Sequence, residues 1–336
     1  MSTGTRAADF SDDLLWADCD DFELPFQFGG ASQKGRLQPH TNNQDSLALW
    51  SRGPRVVGVV CDGCGSSQKG HANTELGARI LSIAATHIVG EAMATNGVAA
   101  LDWGMIEEAI CTKIVAVADT LLPKSKPGDI LHNLMMSTIL GFAIDQDAYA
   151  VFGCGDGMFV LNGVSTSLDS QHGRYLAARI ALDADWRGRL ASGDRAIVVH
   201  RAGPISDLRN LLIGTDGVEE LQERFSDKFG AFVANGESDP SSAGLCSSVA
   251  WEFRAAVWRA REVEEWAKSQ DRHDDRSFVV VRRTTPIPVV ETAPAETGSV
   301  ETAPVETAAA IAATPSDGAT AETAPAATGD DIAKHK

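Results

Sequence analysis

Five acidic sites in this chain fall where apolar runs begin or break off. Val-Val-Cys61 runs into Asp62-Gly63-Cys64-Gly65, Val-Phe-Gly-Cys154-Gly155 into Asp156-Gly157, and Leu-Leu-Ile-Gly-Thr215 into Asp216-Gly217. Asn42-Asn43-Gln44-Asp45 precedes Ser46-Leu-Ala-Leu-Trp50, and Arg272-His273-Asp274-Asp275 precedes the run from Ser277 to Arg282. One Asp-Gly alone is a turn signal. Five acidic strand ends in one domain ask for more, because strand termini on one edge of a sandwich converge. Carboxylates gathered there repel one another and are costly to desolvate. A cation resolves the conflict, and aspartate, backbone carbonyl and water are hard oxygen ligands that favour magnesium or manganese over zinc. Glycine beside the aspartate lets backbone approach such an ion closely.

The elements that must carry these residues are legible in outline. Short runs rich in β-branched and aromatic residues predict strands at 55–61, 137–144, 148–152, 158–161, 195–199, 211–213 and 277–282. Leu76, Ile80, Ile83 and His87 recur at helical spacing, as do Ile106, Ile110, Ile114, Val117 and Leu121, with Asp102 placed to cap the second helix. His87 reads as a hydrogen-bonded histidine near the core edge. A third helix is expected from Trp251 through Ala255 and Trp258 to about residue 269. Two helices in succession, followed by consecutive strands, suit an α+β fold of helix pairs on antiparallel sheets better than a doubly wound parallel sheet. No glycine-rich nucleotide loop of Rossmann or P-loop type is present.

Composition divides the 336 residues into a polar lead-in (1–20), one domain (21–285) and a tail (286–336). The tail repeats units such as Val300-Glu-Thr-Ala-Pro304 and has almost no large apolar residues. Such a segment cannot bury enough surface to offset chain entropy and is expected to be disordered. Across the chain, 29 lysines and arginines face 46 aspartates and glutamates, a net charge of −17. That balance argues against a nucleic-acid binder, which needs a basic stripe. The N-terminus lacks a basic region followed by a long apolar one, and no run approaches the roughly 18 apolar residues of a membrane span. A cytoplasmic protein with no membrane partner is expected. Cys61 and Cys64 form an isolated C-x-x-C, and Cys61, ending an apolar strand, reads as a small packed hydrophobe.

Taken in order, N-Q-D, C-D-G-C-G, G-D-G, T-D-G and D-D-x-S resemble the motifs of the type 2C metal-dependent protein phosphatases. The resemblance spans about residues 27–283 and is nearest the compact bacterial-style branch, whose first motif reads D-G-C-G-S. It implies a four-layer αββα sandwich, two antiparallel sheets flanked by helix pairs, with two Mn2+ or Mg2+ ions in a cleft at one end. Carried over by position, Asp62 bridges both ions, Asp216 and Asp274 complete the shell of the first, and Asp45 and the Gly63 carbonyl help hold the second. Asp156 matches an aspartate that, with the equivalent of Asp216, holds a third, weaker ion in some bacterial members. Thr138 matches a structural threonine.

The resemblance further implies hydrolysis of phosphoserine or phosphothreonine in proteins, opposing a cognate serine/threonine kinase, by a hydroxide bridging the two ions. Asp62, Asp274 and His40 are the residues expected to act in catalysis. His40 stands where many members carry an arginine that grips substrate phosphate; histidine is a weaker, pH-dependent partner there. Gln44 stands where glutamate is common, and Thr215, Gly157 and Ser277 replace serine, serine and threonine. The alternative is a non-catalytic phosphoprotein-binding scaffold, motivated by His40 and the acidic tail. No twelve-residue calcium loop is present.

Overall fold

The computed structural model describes residues 4–7, 24–33, 43–64, 74–121, 131, 134–168, 175–182, 185–219 and 275–283. His40, Asp274, the expected third helix and the tail lie outside the described residues. The chain divides into one unit of Met1–Pro288 and a second of Val289–Lys336, close to where composition changes.

Eleven strands are described: β1 (Gly4–Ala7), β2 (Phe26–Gln33), β3 (Ser46–Ser51), β4 (Val56–Cys61), β5 (Ile139–Ile144), β6 (Ala148–Cys154), β7 (Gly157–Leu161), β8 (Val164–Leu168), β9 (Val198–Pro204), β10 (Asn210–Gly214) and β11 (Arg276–Arg283). They form two sheets, ordered β1-β3-β4-β5-β6-β9 and β2-β11-β10-β7-β8. Every pairing in both is antiparallel. The described helices are α1 (Glu75–Asn96), α2 (Trp103–Leu121), α3 (Leu176–Leu182) and α4 (Trp186–Ala191). The fold is α+β, as its element order predicts.

Side-chain alternation along the strands builds two cores. Phe28, Leu47, Val60, Phe142, Val151, Phe159, Ile213, Val279 and Val281 meet between the sheets. The opposite face of the six-stranded sheet, through Trp50, Val57, Val59, Ala143 and Phe152, packs against the helices. Met158, Leu212, Phe278 and Val280 are buried too, on the face of the five-stranded sheet turned away from the sandwich core. Strand alternation therefore leaves apolar residues buried on both faces of both sheets, as a layered sandwich requires.

The structure refines several boundaries. Gly4–Ala7, in the stretch read as a lead-in, pairs along β3 with Gly4 opposite Ser51. The strand expected at 195–199 runs later, from Val198 to Pro204, after buried Ala196 and Ile197. The buried face of α1 is Ala78, Leu81, Ala85, Val89 and Met93, whereas Ile80 and Ile83 are half-buried and His87 is exposed. Small residues line that face because the helix lies close to the sheet: a Cβ on Gly90 would enter the Trp50 ring. Asp102 caps α2 as expected, its Oδ1 accepting from the N–H groups of Gly104 at 2.9 Å and Met105 at 3.2 Å.

Candidate metal centre

The antiparallel registers bring the acidic strand ends to one end of the sandwich. Ser46 pairs with Cys61, so Asp45, just before β3, and Asp62, just after β4, are neighbours at the same sheet edge. Gly214 pairs with Phe278, which sets Asp216 beyond the end of β10 beside Asp275 and Arg276 at the start of β11. Asp156 occupies the turn between β6 and β7, which cross from one sheet to the other at this same end.

Three hydrogen bonds tie the two sheets together here. Thr215 Oγ1 donates to Asp45 Oδ2 at 2.6 Å. The backbone N–H of Gln44 donates to Asp275 Oδ2 at 2.6 Å. Asn43 Nδ2 donates to Ser32 Oγ at 2.8 Å, and that hydroxyl also pairs with Ser277 Oγ at 2.6 Å. Asn43 in turn accepts the Asp45 N–H at 3.0 Å, and Thr215 Oγ1 accepts the Ser277 N–H at 3.0 Å. The Asp45 segment is thus fixed by its own backbone, by Asn43 and by Thr215 from the facing sheet.

Asp62 is fixed through its peptide. Its N–H donates to Thr138 Oγ1 at 2.9 Å, and its carbonyl accepts from Ser137 Oγ at 2.6 Å and the Thr138 N–H at 2.9 Å. Gly63 donates its N–H to the Gln44 carbonyl at 3.2 Å. A Cβ on Gly63 would lie 2.7 Å from that carbonyl oxygen and 2.8 Å from Thr74 Oγ1, so only glycine lets these segments meet.

Electrostatics agree with the register. Asp45 is only 6% exposed. Burial first, then the charges of Asp62, Asp275 and Asp216, hold its carboxyl well above the usual carboxylate range, partly offset by the Thr215 hydroxyl. Three carboxylates from three other strand ends therefore stand near enough to buried Asp45 to raise it. Burial also raises Asp156. Tyr175, just before α3, hydrogen-bonds the Cys64 thiol, and burial, then the charges of Cys64, Asp156 and Asp62, push its phenol up. Burial pushes the Cys61 thiol well up, and Cys61 and Cys64 are not bonded to each other.

The donor types fit a hard divalent cation: carboxylate oxygens and a nearby glycine carbonyl. Among the described residues, no three His, Cys, Asp or Glu side chains stand close enough together to hold an ion by themselves. Asp274 and His40 fall outside the described residues. Of the expected site residues, Asp45, Asp62, Gly63, Asp156 and Asp216 all stand at this end of the sandwich, without three of the described carboxylates converging on one point. Residues that the sequence reading passed over are Ser32, Asn43, Thr74, Tyr175, Asp275 and Arg276. Of these, Asn43, Asp275 and Arg276 stand inside the motifs; the others become visible only through strand register.

No curated protein matches this chain. Among solved structures, a bacterial serine phosphatase is similar over 77% of this chain and 97% of its own, at 11% identity and a TM-score of 0.41. The catalytic domain of the serine/threonine protein phosphatase PstP with two manganese ions is similar over 76% and 97%, at 13% and 0.40. The serine/threonine phosphatase Stp1 from Staphylococcus aureus is similar over 76% and 94%, at 11% and 0.41. The family model described as Protein phosphatase 2C matches residues 33–247. That span takes in four of the five acidic strand ends and more than half of the chain, which therefore belongs to the protein phosphatase 2C family.

Proposed function

We propose that this chain hydrolyses phosphoserine and phosphothreonine esters in proteins through a centre of two Mg2+ or Mn2+ ions, opposing a serine/threonine kinase in the cytoplasm. One observation carries the reading: strand register sets Asp45, Asp62, Asp216 and Asp275 at one end of the sandwich, where the other three raise the buried Asp45 carboxyl, and like charges so placed favour a bound cation.

Asp62, Asp216 and Asp274 are assigned to the first ion, with Asp62 shared with the second, and Asp45 and the Gly63 carbonyl to the second. Asp156 is assigned to a third, weaker one. Bound there, such ions lower the pKa of water towards neutrality and place positive charge beside the phosphoryl oxygens. The chain's own residues do the rest. Thr215 favours the ionised form of Asp45 by donating to it. Ser137 and Thr138 hold the Asp62 peptide still. His40 is assigned the hydrogen bond to substrate phosphate.

No described helix is long and apolar enough to cross a membrane. The test is hydrolysis of p-nitrophenyl phosphate and of a phosphothreonine peptide by chelator-stripped protein. Turnover that returns with Mn2+ or Mg2+ and vanishes with chelator is expected. No turnover with either ion across pH 6 to 9, roughly the range in which a metal-activated water ionises, would overturn the proposal.

A further inference from the structure

Asp275 and Arg276 are consecutive residues at the start of β11, yet their side chains grip different segments. Asp275 Oδ2 accepts the N–H of Gln44, the residue before Asp45, at 2.6 Å. Arg276 Nε donates to the carbonyl of Gly217, the residue after Asp216, at 3.0 Å. Adjacent strand residues point to opposite faces of a sheet, which is how one dipeptide reaches both limbs.

The grip is close-packed. Asp275 is 2% and Arg276 5% exposed. A Cβ on Gly217 would collide with the Asp275 carbonyl oxygen and lie 2.9 Å from Arg276 Cγ, so the turn carrying Asp216 rests directly on the dipeptide. A guanidinium is costly to bury, and its planar donors favour a fixed direction.

We propose that Asp275 and Arg276 are positioning residues that together set the spacing between the Asp45 and Asp216 limbs, and through it the affinity for divalent cations. This rests on the metal-centre reading above. Asp275 restrains the limb from the six-stranded sheet, and Arg276 restrains the limb at the end of β10. Neither residue is assigned to the ion. Each acts through the backbone next to a ligand, in the way that outer hydrogen-bond partners orient metal-binding groups.

Mn2+ binding to chelator-stripped full-length protein, measured by calorimetry, tests this, with circular dichroism to confirm folding. Arg276→Met should raise the Mn2+ dissociation constant about tenfold, the scale on which such partners act. Arg276→Lys keeps a buried charge but loses the Nε donor, and should also weaken binding if the methionine variant fails to fold. Asp275→Ala should weaken binding, while Asp275→Asn, which keeps an oxygen acceptor for the Gln44 N–H, should restore most of it. Arg282 is the control: it is also buried, on the same strand, but lies at the far end, opposite Asn210. Arg282→Met should lower the thermal midpoint and leave Mn2+ affinity unchanged. Wild-type affinity in a folded Arg276 variant, or equal weakening in Arg282→Met, would overturn the positioning role. A wild-type protein that binds no Mn2+ would remove the metal centre itself, and this role with it.

Discussion

The Thr215 hydroxyl donates to Asp45 Oδ2 at 2.6 Å, linking two sheets and two residues 170 apart in the chain. The same oxygen accepts the Ser277 N–H at 3.0 Å, so one hydroxyl serves the site and the β10–β11 ladder at once. Thr215→Val keeps the shape and removes both functions. A buried hydrogen bond contributes about 0.5–1.5 kcal/mol net, and a loss of that order is expected in urea unfolding. Thr215→Ser should lose far less. An unchanged unfolding midpoint in Thr215→Val would show that the hydroxyl is not holding Asp45.

The raised pKa of Asp45 makes the metal-free protein pH-sensitive in a defined direction. An unfolded aspartate ionises near about 4. In the folded state burial and like charges keep the proton on Asp45 to higher pH. The folded state then binds more protons than the unfolded one between the two pKa values. Its contribution is fully present below the unfolded pKa and is lost as pH rises through the folded one. The thermal midpoint of chelator-treated protein should therefore fall as pH rises above about 4 through that window, and Asp45→Asn should flatten the fall. Added Mn2+ should reverse it, because the ion binds the ionised carboxylates of the folded state. Identical pH profiles for wild type and Asp45→Asn would refute this account.

Asp62→Asn and Asp274→Asn should each abolish most turnover of a small aryl phosphate. The loss should exceed the roughly 10–100-fold that removal of an outer hydrogen-bond partner costs, since both are assigned to the ions themselves. The Asp62 variant should stay folded, because the bonds to Ser137 and Thr138 are made by its peptide. Circular dichroism alongside the assay separates the two effects. Activity retained in either variant would mean that the carboxylate is not a ligand.

What sequence could and could not reveal follows from the physics of each element. The strands ending at Cys61, Cys154 and Gly214 are legible because short apolar runs stop at Asp-Gly turns or just before them. Strand β2, Phe-Gln-Phe-Gly-Gly-Ala-Ser-Gln, is not, because its second half lacks the large residues that mark a strand. Helix α1 is recognised by period but turned on its axis: hydropathy picks Ile80 and Ile83, whereas close packing selects Ala78, Ala85 and Gly90. That Asp45, Asp62 and Asp216 share one end of the sandwich follows from their strand-end positions. The Thr215, Ser277, Ser32 and Asn43 chain does not, since it exists only once β10, β11 and β2 are in register.

A second buried carboxylate, far from the motifs, makes a separate prediction. Glu107 on α2 is 0% exposed; its carboxylate accepts the N–H groups of Ala196 and Ile197, each at 2.9 Å, and pairs with Arg179 Nη1 at 3.4 Å. It thereby joins α2 to α3 and to the chain entering β9. Glu107→Ala leaves two buried amides without an acceptor, about 1–3 kcal/mol each, and takes from the Arg179 guanidinium one of its two carboxylates, Asp194 being the other, so the loss in chemical unfolding should exceed that of the amides alone. Removing the charge partner as well, in Glu107→Leu with Arg179→Met, should recover part of that loss, because buried ion pairs are often replaceable by apolar groups. Recovery should stop short of wild type by about 1–3 kcal/mol per amide, since both N–H groups still lack an acceptor. A double variant as stable as wild type would mean that the amides find other partners; one no better than the single variant would mean that the ion pair contributes nothing beyond the backbone bonds.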